Sequence, residues 1–206
     1  MIDLPKTKEL IFDAFLELTS TVGYEKVSVR DIAQRVGINV ASIYYHFETK
    51  ASMLEFAYAY HGEHQYDKRL SAEQMKKLIE SASAEEIVRA FMYTMESEDQ
   101  KHYVRMVLIT KIIYMRIFQD PLANAIFSET YNSNFAIVVE VMKHGIDIGR
   151  LEPDFDAMTF ADLLIGAMEV MGIKAFADVN YVVRQLDQED KTLAMIARIL
   201  STAFIK

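Results

Sequence analysis

The chain has no cysteine among its 206 residues. That excludes disulfide staples, thiolate metal sites and cysteine nucleophiles, and it is compatible with a reducing cytoplasm. Only seven glycines and three prolines occur, too little turn chemistry for many short strands, so helices are favoured. Long apolar runs are missing as well. The richest stretches, 104–118 and 160–176, are interrupted by Arg105, Lys111 and Arg116 and by Asp162, Glu169 and Lys174. Neither offers the roughly 20 clean residues of a membrane span. The opening MIDLPKTKELIFDAF carries Asp3, Glu9 and Asp13 and lacks the apolar run of a secretory signal. A soluble, cytoplasmic protein with no membrane partner is expected. GxSxG, P-loop, GxGxxG, HExxH and spaced Cys/His sets are all absent. No enzyme and no cofactor is therefore expected, and a carboxylate pair among the thirty acids is the one catalytic constellation left open.

What is present is a 51% apolar, 25% charged composition, that of a folded globular chain with a real core. The net charge of −8 argues against a surface that binds nucleic acid indiscriminately. Its distribution is uneven. Residues 26–50 carry four bases against two acids, with His46 beside them, so a polyanion partner would dock there. Apolar spacing predicts an all-α fold of about nine helices. Leu10, Ile11, Ala14, Phe15, Leu18 and Val22 share one face of a first helix, which ends at Gly23. Ser28, three residues before Asp31, has capping-box spacing for a second helix closed by Gly37. Asn39 can cap a third, with Ile43 and Phe47 pointing inward. A longer helix is predicted over 50–69, two more follow Ser71 and Ser83, and others cover 99–119, 121–147, 156–177 and 189–205. Helix 156–177 is apolar nearly all round and helix 189–205 has an apolar stripe, so a second subunit is the expected cover for both. His61, His64 and Asp67 share a helix face at metal-ligand spacing, but an exposed polar face is the expected reading and no metal is expected.

The segment VSVRDIAQRVGINVASIYYHFETK (27–50) holds two short helices joined by a glycine-containing turn, the geometry of a helix-turn-helix. With Ile43 and Phe47 inward, the second of them exposes Asn39, Val40, Ala41, Ser42, Tyr44, Tyr45 and His46. These are short groups for base edges and thymine methyls, followed by hydroxyl and imidazole donors for phosphates. Lys50 just beyond is expected to neutralise a phosphate, and Arg30 projects from the start of the first.

These residues resemble the DNA-binding region of tetracycline-repressor-type (TetR family) transcription regulators. The likeness is carried by Val29-Arg30-Asp31-Ile32-Ala33, Val36-Gly37-Ile38, Ile43-Tyr44-Tyr45-His46-Phe47, Lys50 and Leu54, with Phe12-Ala14-Phe15 and Gly23-Tyr24 upstream. It implies that Val29, Arg30, Asn39, Val40, Ala41, Ser42, Tyr44, Tyr45, His46 and Lys50 touch operator DNA. It also implies a DNA-binding domain over 1–50 and an effector-binding and dimerisation domain over 51–206. Such a protein binds an inverted-repeat, double-stranded operator as a homodimer, here through the helices near 156–177 and 189–205. It usually represses, and lets go when a small molecule enters the second domain. Candidate linings for that effector, expected to be largely apolar, are Phe91, Met95, Tyr103, Met106, Tyr114, Met115, Phe118, Phe135, Met168 and Met171, with Glu169 set to meet a cation or hydrogen-bond donor. The alternative is a helical ligand-binding or protein-interaction module whose helix-turn-helix is not used for specific DNA binding.

Overall fold

The computed structural model describes residues 6–64, 70–92, 100–178 and 191–205. Among them are ten α-helices: α1 (Lys6–Val22), α2 (Val29–Val36), α3 (Val40–His46), α4 (Lys50–His64), α5 (Ala72–Ser81), α6 (Ala84–Met92), α7 (Gln100–Arg116), α8 (Pro121–Asp147), α9 (Ala157–Ala177) and α10 (Lys191–Thr202). One 3-10 turn, Tyr24–Lys26, joins α1 to α2. The described residues form no strand, only an isolated antiparallel bridge between Leu151 and Phe204. None of their helices is long and apolar enough to cross a membrane.

The helix starts follow from local chemistry. Ser28 and Ser71 each close a capping box, with Asp31 and Gln74 three residues on. The Ser83 amide donates to Glu86 at 2.7 Å before α6, and Asp156 accepts from the amides of Met158 and Thr159 to start α9.

The chain divides into two compact units, each discontinuous in sequence: residues 1–65 with 99–127, and residues 66–98 with 128–206. The first is larger than the 1–50 segment expected to read DNA, because α4, α7 and the start of α8 share its core. Ile11, Phe12, Phe15 and Leu16 of α1 pack there with Ile32, Ile43, Met53 and Leu54, and with Ile109, Ile112 and Ile113 of α7. Polar contacts reinforce the α1–α7 seam. The Arg105 guanidinium, 8% exposed, meets Asp13 at 2.6 Å and Glu9 at 2.8 Å. Hydrogen bonds from Lys101 and Arg105 hold the Glu9 carboxyl below its ordinary range. His61 is buried, not part of an exposed polar face as its neighbours in sequence imply. Among the described residues no group of His, Asp and Glu is arranged to hold a metal.

The second unit has its own core, built from Met75, Ile79, Ile87, Val88, Val141, Met142, Phe160, Leu164 and Leu200, among others. Helix α10 packs on α6 and α9. At the end of α8 a Cβ on Gly145 would stand 2.7 Å from Ile79 Cδ1 and 2.9 Å from Leu151 Cδ1. Gly145→Ala is therefore expected to destabilise the protein by about 1–3 kcal/mol through overpacking. Urea unfolding checks it, and an unchanged midpoint would show that the two side-chain ends yield freely.

Candidate nucleic-acid interface

Helix α3 is only seven residues long and owes its position to its ends and its inner face. The Asn39 Oδ1 accepts from the Ser42 amide at 2.8 Å and the Ser42 hydroxyl at 3.0 Å, which starts the helix. The Phe47 amide donates to the Ile43 carbonyl at 2.9 Å where it ends. Ile43 and Phe47 are buried, as their spacing predicts. The turn before α3 depends on Gly37, whose φ of +77° and ψ of +31° lie in the left-handed region that a Cβ disfavours. Its amide bonds back to Ala33 and Gln34, so α2 stops and the chain reverses within Gly37–Asn39.

The outward face of α3 carries Asn39, Ala41, Tyr44 and Tyr45 exposed, with Ser42 and His46 half-buried beside them. Tyr45 is 85% exposed and Tyr44 51%, large apolar surface with no cover in the monomer. The Tyr45 and His46 rings meet edge-on at 5.0 Å. With its Oδ1 engaged in capping, Asn39 has its amide N–H groups left for a partner, and Ser42 keeps acceptor lone pairs. Val29 and Val40 are half-buried and pack against the core of the first unit, so their share of the surface is smaller than the sequence implies.

The four bases of 26–50 have different fates. Arg35 pairs with Glu17. Lys50 is turned inward: its Nζ donates to the carbonyls of Tyr24 and Val27, each at 2.8 Å. Arg30 and Lys26 are exposed and have no ion pair among the described residues. Asp31, also exposed, has its carboxyl held below the ordinary range by the Ser28 hydroxyl and amide, so the acid at the start of α2 stays ionised beside Arg30. The free positive charge of this face is thus smaller than the sequence count, and neutral donors and rings dominate it.

The residues expected to line an effector pocket are divided between the two units. Tyr103, Met106, Tyr114, Met115 and Phe118 belong to the first unit. There Tyr103 is buried, Met106 packs against the core, Tyr114 meets Phe127 edge-on at 5.2 Å, and Phe118 is 92% exposed. Within the second unit a cavity of about 30 Å³ is lined by Met75, Phe91, Asn134, Ile137, Ile165 and Met168, among others. Of the expected residues, Phe91 and Met168 are in this lining. Phe135 stacks on Tyr131 and Met171 is core. Glu169 is half-buried and not in the cavity lining, and burial pushes its carboxyl up. Met95 lies outside the described residues. The cavity volume corresponds to about two waters, far below the roughly 300 Å³ of a ligand pocket.

Sequence reasoning missed Tyr24 and Arg116. The Tyr24 ring lies 4.1 Å from Lys50 Nζ and 4.5 Å from Arg116 Cζ. Arg116 was visible only as a charge interrupting an apolar stretch. The α1–α7 ion pairs did have a signal: Glu9 and Asp13 stand one turn apart, as do Lys101 and Arg105.

Residues 11–56 match the family described as Bacterial regulatory proteins, tetR family. Over 48 residues the chain is 44% identical to the Biofilm operon icaADBC HTH-type negative transcriptional regulator IcaR of Staphylococcus aureus, covering 23% of this chain. The match spans about a quarter (26%) of that relative's length. Along nearly the whole chain the fold is similar to that of the ketosteroid transcriptional regulator KstR2 of Mycobacterium tuberculosis, with a TM-score of 0.64 and 19% identity over 99% of this chain and 98% of that one. It is likewise similar to that of the TetR family transcriptional regulator PfmR of Thermus thermophilus, with a TM-score of 0.61 and 15% identity over 98% of this chain and 100% of that one.

Proposed function

We propose that this chain, whose residues 11–56 match the family described as Bacterial regulatory proteins, tetR family, is a cytoplasmic repressor that binds an inverted-repeat operator as a homodimer and releases it when a small, largely apolar effector occupies the second unit. The observation that carries the reading is the outward face of α3: Asn39, Ala41, Tyr44 and Tyr45 stand clear of the protein while Ile43 and Phe47 anchor the helix from behind. A short helix so presented enters a major groove, with Asn39, Ala41 and Ser42 toward base edges and Tyr44, Tyr45 and His46 toward the sugar-phosphate walls. Arg30 adds a phosphate contact from α2. Val29 and Val40 flank the reading face at its core-packed side. Repression is supported by the relative from S. aureus, a negative transcriptional regulator 44% identical to this chain over 48 residues.

Two copies must present α3 about 34 Å apart to reach successive major-groove faces. Helices α9 and α10 supply the surface for pairing. Met158, Leu163, Val170 and Ile173 on α9 and Met195 and Ile199 on α10 are 40–59% exposed, while the opposite faces are core. The effector site is the cavity between α5, α6, α8 and α9, with Asn134 as its polar group. A ligand of useful size must widen it, so it selects a conformation that differs from the one described and shifts the population by its differential affinity.

Binding of the purified protein to the inverted repeats upstream of its own gene, followed by fluorescence anisotropy across a salt series, tests the reading. Specific binding is expected, with log K falling linearly as log salt rises through counterion release. The slope is expected to be modest, because Lys50 and Arg35 are engaged internally. Equal affinity for scrambled duplexes would leave a helical ligand-binding module in place of an operator-specific regulator.

A further inference from the structure

We infer that Tyr24 is a positioning joint for the reading helix, held by Lys50 from α4 and Arg116 from α7, and that Lys50 positions the DNA-reading element instead of neutralising a phosphate. The inference rests on the DNA-binding reading above.

Three observations support it. Lys50 Nζ spends two of its three donors on the carbonyls of Tyr24 and Val27 and lies 4.1 Å from the Tyr24 ring. Those carbonyls belong to the 3-10 turn and its last cap, directly before Ser28 starts α2. Lys50 itself opens α4, three residues after Phe47 closes α3. One ammonium therefore ties the beginning of the helix-turn-helix to its end. Moving it out to a phosphate would strip two half-buried carbonyls of their donor and the ring of its cation.

Arg116 makes the joint continuous with α7 and α8. Its guanidinium lies 4.5 Å from the same ring, and it donates to Glu25 at 2.7 Å and to Asp120 at 3.2 Å. The other oxygen of Asp120 caps α8 through the Leu122 amide at 3.0 Å, while Tyr58 of α4 donates to the first at 2.9 Å. Burial opposes ionisation of Asp120, yet the bonds from Tyr58, Arg116 and the two amides outweigh it and lower its pKa. The carboxylate is thus a fixed anchor for Arg116. The Phe15 ring meets Tyr24 edge-on at 6.5 Å and confines it on the α1 side. The turn that aims α2 and α3 is consequently gripped by side chains from α1, α4 and α7.

The test uses a duplex enriched by the parent protein from a randomised library, with a scrambled duplex beside it. Lys50→Met and Tyr24→Leu are each expected to weaken binding of the enriched duplex by about tenfold or more, with the salt slope unchanged. Scrambled-duplex binding stays at the parent level. Tyr24→Phe, which keeps the ring, is expected to bind as the parent does. Melting curves accompany each variant. Should Tyr24→Leu melt below the assay temperature, Arg116→Met takes its place, and the same loss with the same slope is expected. A Lys50→Met protein whose salt slope drops by about two per dimer, with scrambled binding weakened equally, would make Lys50 a phosphate ligand and overturn the inference. Parent-like affinity in both Lys50→Met and the second variant would also overturn it. A parent that enriches no duplex fails the DNA-binding reading itself, whereas a parent that binds beside parent-like variants fails the joint alone.

Discussion

Tyr44→Ala and Tyr45→Ala are each expected to lower operator affinity by about 2–6 kcal/mol in the dimer. Each substitution removes a contact worth about 1–3 kcal/mol from both half-sites at once. At about 1.4 kcal/mol per tenfold, the lower bound is already roughly a thirtyfold loss. Folding is not at stake. The two rings are 51% and 85% exposed, and surface substitutions of this kind stay within about 0.5 kcal/mol of the parent. The phenylalanine variants separate ring from hydroxyl. A loss in Tyr45→Phe equal to that in Tyr45→Ala assigns the effect to a hydroxyl–phosphate bond, and retention assigns it to the ring against sugar or base. Neither residue is charged, so the slope of log K against log salt is expected to stay that of the parent. Titration of labelled duplex in both variants measures this. Parent-like binding in both would remove α3 as the reading surface.

The helix-turn-helix was legible because its signals are local. A serine three residues before Asp31, a glycine after Val36, an asparagine three residues before Ser42 and apolar residues at 43 and 47 each fix a backbone feature within one helical turn. Hydrogen bonds over three residues do not depend on the rest of the fold. Lys50 shows where this stops. Its place after an aromatic reading helix implies a phosphate contact, but its partners stand 26 and 23 residues earlier, in a turn whose approach no periodicity reveals.

The division of the expected effector lining between the units was hidden for the same reason on a larger scale. Periodicity says which face of a helix is buried, not which helix buries it. Helix α7 offers Tyr103, Met106 and Tyr114, residue types that suit a pocket wall, yet its ion pairs to α1 and its isoleucines commit it to the first unit. The cavity in the second unit instead takes Met75 from α5 and Ile137 from α8, both ordinary core residues by pattern. His61 departs from the exposure its type implies for a related cause. A polar residue type implies exposure, whereas α4 buries Tyr58, Tyr60 and His61 together.

Placing charge on the outer face of α9 is expected to have the other large effect. Val170 and Ile173 are 51% and 52% exposed one turn apart, and Leu163, 44% exposed, continues the stripe two turns earlier. The same helix buries Phe160, Ala161, Leu164 and Ile165 on its other side, so the stripe is not surplus core but a second apolar face. A Cβ placed on Gly166, between Leu163 and Val170, would meet nothing within 4 Å, so another backbone can come close there. Val170→Glu with Ile173→Glu would set four carboxylates into an apolar contact across a two-fold axis, more negative charge than the one Lys174 of each copy, a turn from position 170, can meet. The expected product is a folded monomer. Its own core is untouched, so its melting temperature at low concentration stays near that of the parent, while sedimentation gives half the parent mass. A monomer engages one half-site only, and its binding falls from the roughly 10⁻⁸ M or tighter range of a specific dimer toward the 10⁻⁴–10⁻⁶ M of non-specific contact, at least a hundredfold. A variant that sediments as the parent does would move the pairing surface off α9, and a monomer that still holds the inverted repeat with parent affinity would show that pairing does not set the spacing of the two reading helices.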